Sequence, residues 1–332
     1  SVGLASYKNL GKDEMIKKIY DMTETQIEVL KYLIKNEEWD FCVWVCIGTD
    51  RLQHTMWSSF DEKHKDHDPF NKYKNTLKDY YIYLDKKLKE IIDILPKNVL
   101  IIIASDHGFN RMDGRVNLND WLIKEGYLFF KKEIKEREKF DISKVDWNKT
   151  RAYAVGAYFG RIYLKSDNEY EKKILEDEII NKLKFFKRPD GSLMKMVFHK
   201  SREVYIGKYL SNAPSIYVYF DNLIWGVNND IGNSGLYSEL TLLGSDEGGH
   251  APQGIFITNS KKINKINNGE IDILDVYPII ENELSNNELD NIEYVCTIGP
   301  ASNNDENLQK LKKEGMTYAR INFSHLELDQ AK

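Results

Sequence analysis

Two apolar runs constrain this chain more than any other feature: "DFCVWVCIG" at 40–48 and "NVLIIIASDHGF" at 98–109. Each is too continuous for a half-exposed strand and too short for an ordinary helix, so each reads as a strand buried on both faces. Between them, Leu77, Tyr80, Tyr81, Leu84, Leu88, Ile91 and Ile92 recur at helical spacing from Tyr73 to Leu95, and Pro96 closes the stripe. Strand, helix, strand predicts a βαβ unit, hence an α/β fold with a parallel sheet and a right-handed crossover.

The flanking segments extend that reading. Ile16, Ile19, Ile27, Leu30, Leu33 and Ile34 predict one or two amphipathic helices over 13–36. "NDWLIKEGYLFF" predicts a helix running into a strand at Gly126, and "RAYAVGAYFGRIYL" (151–164) alternates like antiparallel strands. A charged helix near 169–186, short strands at "APSIYVYF" and "QGIFIT", and a helix over 271–284 follow. "SNNELDN" then has the composition of a linker, so we divide the chain into a domain over 1–284, a linker at 285–292 and a distinct segment over 293–332.

With 332 residues, 42% hydrophobic and 12% aromatic, the chain has ample material for a core. Its net charge of −5 offers no attraction to nucleic acid or to an anionic membrane, and we expect neither as a partner. No apolar run approaches the ~18 residues that span a bilayer. Cys42, Cys46 and Cys296 lack metal-type spacing and read as free thiols, which fits a reducing cytoplasm. Oligomeric state is not legible here.

Chemistry concentrates at the ends of the two runs, where ligand sites of parallel sheets lie. The second ends in Asp106 and His107; the first runs into "GTDRLQH", with Asp50 and His54 four residues apart. A helix there would put both side chains on one face. A capping aspartate, a turn aspartate and a surface histidine would explain any one of these alone, but two Asp/His pairs at neighbouring strand ends are harder to dismiss. His250 adds a third element in the glycine-rich "SDEGGHAPQGIF". Aspartate and neutral imidazole are zinc ligands, and two such metals make a phosphoryl-transfer site.

"GTDRLQHTMW", "ASDHGFNRMDG" and "GGHAPQGIFI", in this order, resemble the alkaline phosphatase superfamily, nearest its type I phosphodiesterase/nucleotide pyrophosphatase branch, over about residues 10–285. The resemblance implies an alkaline phosphatase-like, mostly parallel sheet with flanking helices. It also implies two divalent metals, zinc first and manganese or magnesium as alternatives, and a small phosphoester or nucleotide as substrate. Carried over, Asp50, His54 and His250 hold one metal, while Asp106 and His107 belong to the other. One departure matters: the family's first metal-binding aspartate and its Thr/Ser nucleophile lie upstream of these motifs, and nothing before Asp50 matches them. Asp13, Asp21, Thr23 and Thr25 read as helix-surface or capping residues. The expectation is an N-terminally incomplete domain, its nucleophile upstream of Ser1, with little or no turnover by this chain alone. His64 and His67 read as part of a solvated charged loop. Trp57, Tyr158 and Trp225 read as core aromatics, with base stacking as the alternative.

The last segment, "EYVCTIGPASNNDENLQKLKKEGMTYARINFSH", holds a strand, a helix and a second strand; Asn303 or Asn304 can cap the helix and Gly315 can end it. It resembles the first unit of pyruvate kinase, and so an incomplete start of a (β/α)8 barrel, over about 293–328. The resemblance implies that Arg320 meets the phosphate of phosphoenolpyruvate, that Asn322 and Ser324 bind potassium, and that His325 lies near the nucleotide. Potassium and magnesium would serve only a complete barrel, which takes about 250 residues, so pyruvate kinase activity is not expected here. Two rivals stand beside the hydrolase reading: an appendage of a pyruvate kinase in a longer polypeptide, and a non-catalytic metal-binding module.

Overall fold

The computed structural model describes residues 11–166, 168–239, 246–260, 270–285, 294–298, 309–310, 313 and 316–321. It separates into two compact units, one spanning Lys12–Pro96 and Ala104–Ile255, the other including Lys97–Ile103 and Phe256–Lys332. The helices are α1 (Lys12–Asn36), α2 (Gly48–Met56), α3 (Thr76–Ile92), α4 (Leu118–Lys124), α5 (Glu169–Leu183), α6 (Ser201–Val204) and α7 (Val276–Ser285). The strands of the first half are β1 (Ile102–Ala104), β2 (Gly108–Arg111), β3 (Gly114–Val116), β4 (Glu138–Lys139), β5 (Ala152–Gly156), β6 (Gly160–Leu164) and β7 (Met196–Lys200). Then come β8 (Ile216–Phe220), β9 (Trp225–Val227), β10 (Asp230–Ile231), β11 (Tyr237–Ser238), β12 (Gly248–Ala251), β13 (Phe256–Thr258), β14 (Tyr294–Ile298) and β15 (Met316–Ile321).

In the first unit, α1 forms because Met15, Ile19, Thr23, Ile27 and Leu30 return to one face every three or four residues, and that face is buried. Asp13 and Glu14 sit in its first turn, where the helix dipole favours anions. Ile27 and Leu30 pack on Ile91 of α3, with Ile34 and Trp44 against them. The buried Thr23 hydroxyl is satisfied by the Ile19 carbonyl and by the Tyr80 hydroxyl at 2.7 Å.

The main sheet runs β11-β3-β9-β8-β6-β5, with β7 also paired to β8. It is mixed: β3 and β9 run parallel, and its other pairs run antiparallel. The antiparallel strands expected at 151–164 are β5 and β6, in register from Ala152 opposite Leu164 to Gly156 opposite Gly160. Ala152, Ala154, Ile162, Val218 and Phe220 of the sheet are buried together with Leu175, Ile179 and Leu183 of α5 in the principal core. Each fully buried Leu or Ile there contributes about 1.5–3 kcal/mol. A separate two-stranded ribbon pairs β12 with β2, antiparallel.

In the other unit β1 pairs with β13, and Asn259 fastens this region by accepting from the Ile101 N–H and donating to the Val99 carbonyl. A capping box at Asp272 and Asp275 precedes α7. Strands β14 and β15 pair in parallel, Val295 opposite Tyr318 and Ile298 opposite Ile321, as the strand-helix-strand reading requires. Among the described residues no helix is long and apolar enough to cross a membrane.

The α/β organisation with flanking helices holds, but three sequence expectations fail locally. Residues 40–46 are not a strand, and Phe41, Val43 and Val45 are more than half exposed. Burial of a strand on both faces needs neighbouring strands to take its N–H and C=O groups; among the described residues none pairs with this run, so the predicted βαβ pairing does not form. The 98–105 run gives only the short, half-buried β1. After α4, Gly126 adopts φ +76° and ends the helix, but 127–130 contributes a single bridge from Phe130 to Val145 rather than a strand.

Candidate metal centre

Asp50 and His54 lie one turn apart on α2, with Asp50 Oδ1 3.5 Å from His54 Nε2. The helix opens on Gly48, where nothing larger fits: a Cβ there would sit 1.9 Å from the Tyr80 hydroxyl. The β2–β12 register sets Phe109 opposite His250 and brings that histidine to α2. Gly248 permits the approach, since a Cβ there would meet the Gln53 carbonyl oxygen at 2.6 Å. His250 Nε2 comes within 3.3 Å of His54 Nε2 and 3.6 Å of Asp50 Oδ1. One donor atom from each of Asp50, His54 and His250 lies within 4.8 Å of the other two.

His107, just before β2, joins the rim. Its ring stacks on His250 with centroids 3.5 Å apart, and its Nε2 is 4.0 Å from Asp50 Oδ1. Asp106 lies 3.6 Å from His107 Nε2, but its side chain is 86% exposed and stays outside the three-residue group.

Hydrogen bonds orient two of the imidazoles. His54 Nδ1 donates to the Gly248 carbonyl at 2.8 Å, and His107 Nδ1 donates to the Gly108 carbonyl at 3.0 Å. A carbonyl only accepts, so both rings carry their proton on Nδ1 and present an Nε2 lone pair. Burial pushes the Asp50 carboxyl up, but the His250 and His54 imidazoles beside it outweigh burial and hold the group well below the usual carboxylate range. The site therefore combines an ionised carboxylate with imidazole nitrogens. Its donor spacings of 3.3–3.6 Å match the edge of about 3.3 Å of a tetrahedron with ~2.0–2.1 Å bonds. These residues fit a divalent cation.

Behind them sits a buried ion pair. Arg115 Nη2 donates to Asp246 Oδ2 at 2.5 Å, and Asp246 Oδ1 lies 3.8 Å from His54 Nδ1. Arg115 Nη1 also donates to the carbonyls of Ala157 (2.9 Å) and Val227 (3.4 Å). Aromatic rings flank the site: Phe109 lies edge-on to His54 at 4.8 Å, Trp57 stacks on Phe109 at 6.0 Å, and Tyr158 stacks on His250 at 3.7 Å. The Tyr158 hydroxyl is 3.1 Å from His54 Nε2.

Arg115, Asp246 and Phe109 carry no signal of their own in the sequence, although Phe109 stands two residues from His107 and Asp246 four from His250. Of the three aromatics read as core, Trp225 is in the core, whereas Tyr158 and Trp57 flank the site. The solvated-loop reading of His64 fails. Turn hydrogen bonds from His64 to Asp61 and from His67 to His64 fold the segment back, and His64 is 5% exposed. His67 Nδ1 donates to the Ser58 carbonyl at 2.9 Å. In the tail, Arg320 falls on β15 with its side chain outside the described residues, and Asn322, Ser324 and His325 also lie outside them.

Comparison with known proteins matches residues 6–234 to the type I phosphodiesterase / nucleotide pyrophosphatase family and residues 289–332 to the barrel domain of pyruvate kinase. Over 31 residues the chain is 68% identical to the pyruvate kinases of Staphylococcus haemolyticus and Staphylococcus saprophyticus, which covers 9% of this chain and 5% of each enzyme. The chain thus spans only about a twentieth of the curated relatives it matches. Among solved structures, human ectonucleotide pyrophosphatase / phosphodiesterase 5 aligns with a TM-score of 0.43 and 16% identity, over 83% of this chain and 59% of that one.

Proposed function

Because the chain belongs to the type I phosphodiesterase / nucleotide pyrophosphatase family, we propose that it is a metal-dependent phosphoester hydrolase acting on phosphodiester or phosphoanhydride bonds of nucleotides. The observation that carries this reading is the convergence of Asp50, His54 and His250 donor atoms within 4.8 Å. These three would hold one divalent cation, zinc fitting the donor set best, and Asp106 with His107 would contribute to a second. A bound pair of such cations neutralises charge on the attacking and leaving oxygens of phosphoryl transfer. The protein's own part is orientation and exclusion. Gly248 fixes the His54 ring, Asp50 supplies fixed negative charge, and Trp57, Phe109 and Tyr158 present aromatic faces on which a base can stack.

We further read residues 1–284 as the hydrolase domain, 285–292 as a linker, and 293–332 as the start of a pyruvate kinase barrel. The family matches and the parallel β14–β15 pair support that division. The free thiols of Cys42 and Cys46 support a reducing, cytoplasmic setting.

Zinc titration of the 332-residue chain, paired with hydrolysis of a chromogenic phosphodiester, tests the reading. One tight site is expected, lost in Asp50→Asn and in His250→Ala. A second, weaker site is expected because Asp106 and His107 give two donors where zinc takes about four. Slow, zinc-dependent hydrolysis should follow the tight site. Absence of zinc binding, or turnover that persists in His54→Ala with chelator present, would sink the proposal.

A further inference from the structure

We propose that Tyr158 is a displaceable plug, whose hydroxyl holds the ligand position at His54 Nε2 and must leave before a divalent cation can load. This deepens the metal reading above and rests on it. His54 Nδ1 donates to the Gly248 carbonyl at 2.8 Å, so Nε2 carries the lone pair of the ring, with His250 Nε2 3.3 Å from it. The Tyr158 hydroxyl, 3.1 Å away, therefore donates its proton to that lone pair. One lone pair serves a proton donor or a cation, not both. The tyrosine ring is also laid over the two imidazoles, 3.7 Å from His250 at 19° and 5.7 Å from His54 at 21°.

The surrounding backbone decides how the plug moves. Tyr158 is the middle residue of the turn joining β5 to β6. On one side the Ala157 carbonyl accepts from Arg115 Nη1 at 2.9 Å and from the Val227 N–H at 2.7 Å. On the other, the Phe159 ring stacks on Tyr219 at 5.1 Å. With both neighbours held, displacement is a rotamer change of one half-buried side chain rather than an opening of the loop. Arg115 thus anchors the plug's turn while its other nitrogen pairs with Asp246 beside His54.

The test compares zinc affinity of the full chain with that of Tyr158→Phe by calorimetry, with tyrosine difference absorbance recorded in parallel. Phenylalanine keeps the ring and its stacking but removes the competing donor. Zinc should then bind about two- to tenfold tighter, the equivalent of one net neutral hydrogen bond. Tyr158→Leu, which removes hydroxyl and stack together, should move affinity in the same direction. Zinc should produce a tyrosine difference signal in the unmodified chain that is lost in both variants. Equal or weaker zinc binding by Tyr158→Phe would overturn the plug while leaving the metal site standing. Absence of zinc binding by both proteins would remove the metal reading and the plug with it.

Discussion

The Arg115–Asp246 pair allows a stability prediction worked from the structure. Both residues are under a tenth exposed, and the guanidinium also serves two backbone carbonyls. Replacing Arg115 by methionine keeps most of the aliphatic stem, so little packing is lost, but takes the guanidinium away from a buried carboxylate. Breaking a buried pair from one side costs about 3–5 kcal/mol. At roughly 2–4 °C per kcal/mol for a unit of this size, the melting temperature should fall by about 6–20 °C. The double variant Arg115→Met/Asp246→Leu removes both charges and should recover at least half of that loss, because an apolar pair has no stranded charge to desolvate. Thermal denaturation of the full chain, followed by circular dichroism, reads both numbers. A single-variant loss under about 2 °C, or a double variant no better than the single, would refute the assignment of this pair as a buried brace.

How far the sequence exposes this arrangement depends on whether a signal is local. Helix periodicity is local, so the stripes of α1 and α3 are legible in Ile19, Ile27 and Leu30 and in Tyr80, Leu84 and Ile91, all buried. Strand pairing is not. The run at 40–48 is as apolar as a central strand, yet its fate depends on which backbone lies beside it. It instead exposes Val43 and Val45 while Trp44 packs against the Ile27–Ile91 cluster. The centre divides the same way. Asp50 and His54 are four residues apart on one helix, so their meeting can be read directly. Their meeting with His250 requires the β2–β12 register, which joins segments far apart in the chain. Arg115 and Asp246 are 131 positions apart and have no periodic neighbourhood to betray their burial. Tyr158 reaches the imidazoles only because the β5–β6 turn points it there, which no composition or spacing reveals.

Three further outcomes are expected. Gly248→Ala should push β12 off α2, since its Cβ would sit 2.6 Å from the Gln53 carbonyl oxygen and 3.1 Å from the Trp57 ring. We expect a loss of about 1–3 kcal/mol together with weaker zinc binding, and unchanged values of both would contradict the close packing. Val43→Thr with Val45→Thr should leave the melting temperature within about 2 °C, because both side chains are more than 60% exposed; a larger drop would show that the run is covered. Finally, deleting everything after Ser285 should scarcely change the melting of the remainder. Strands β14 and β15 pair with each other in a two-stranded sheet of their own, and a segment of about 40 residues cannot bury enough apolar surface to offset its ordering entropy. The same deletion should leave zinc affinity untouched, and the full chain should transfer no phosphate from phosphoenolpyruvate to ADP. A drop of ten degrees or more, equivalent to roughly 3–5 kcal/mol at this size, would mean that the tail completes the hydrolase fold rather than hanging from it.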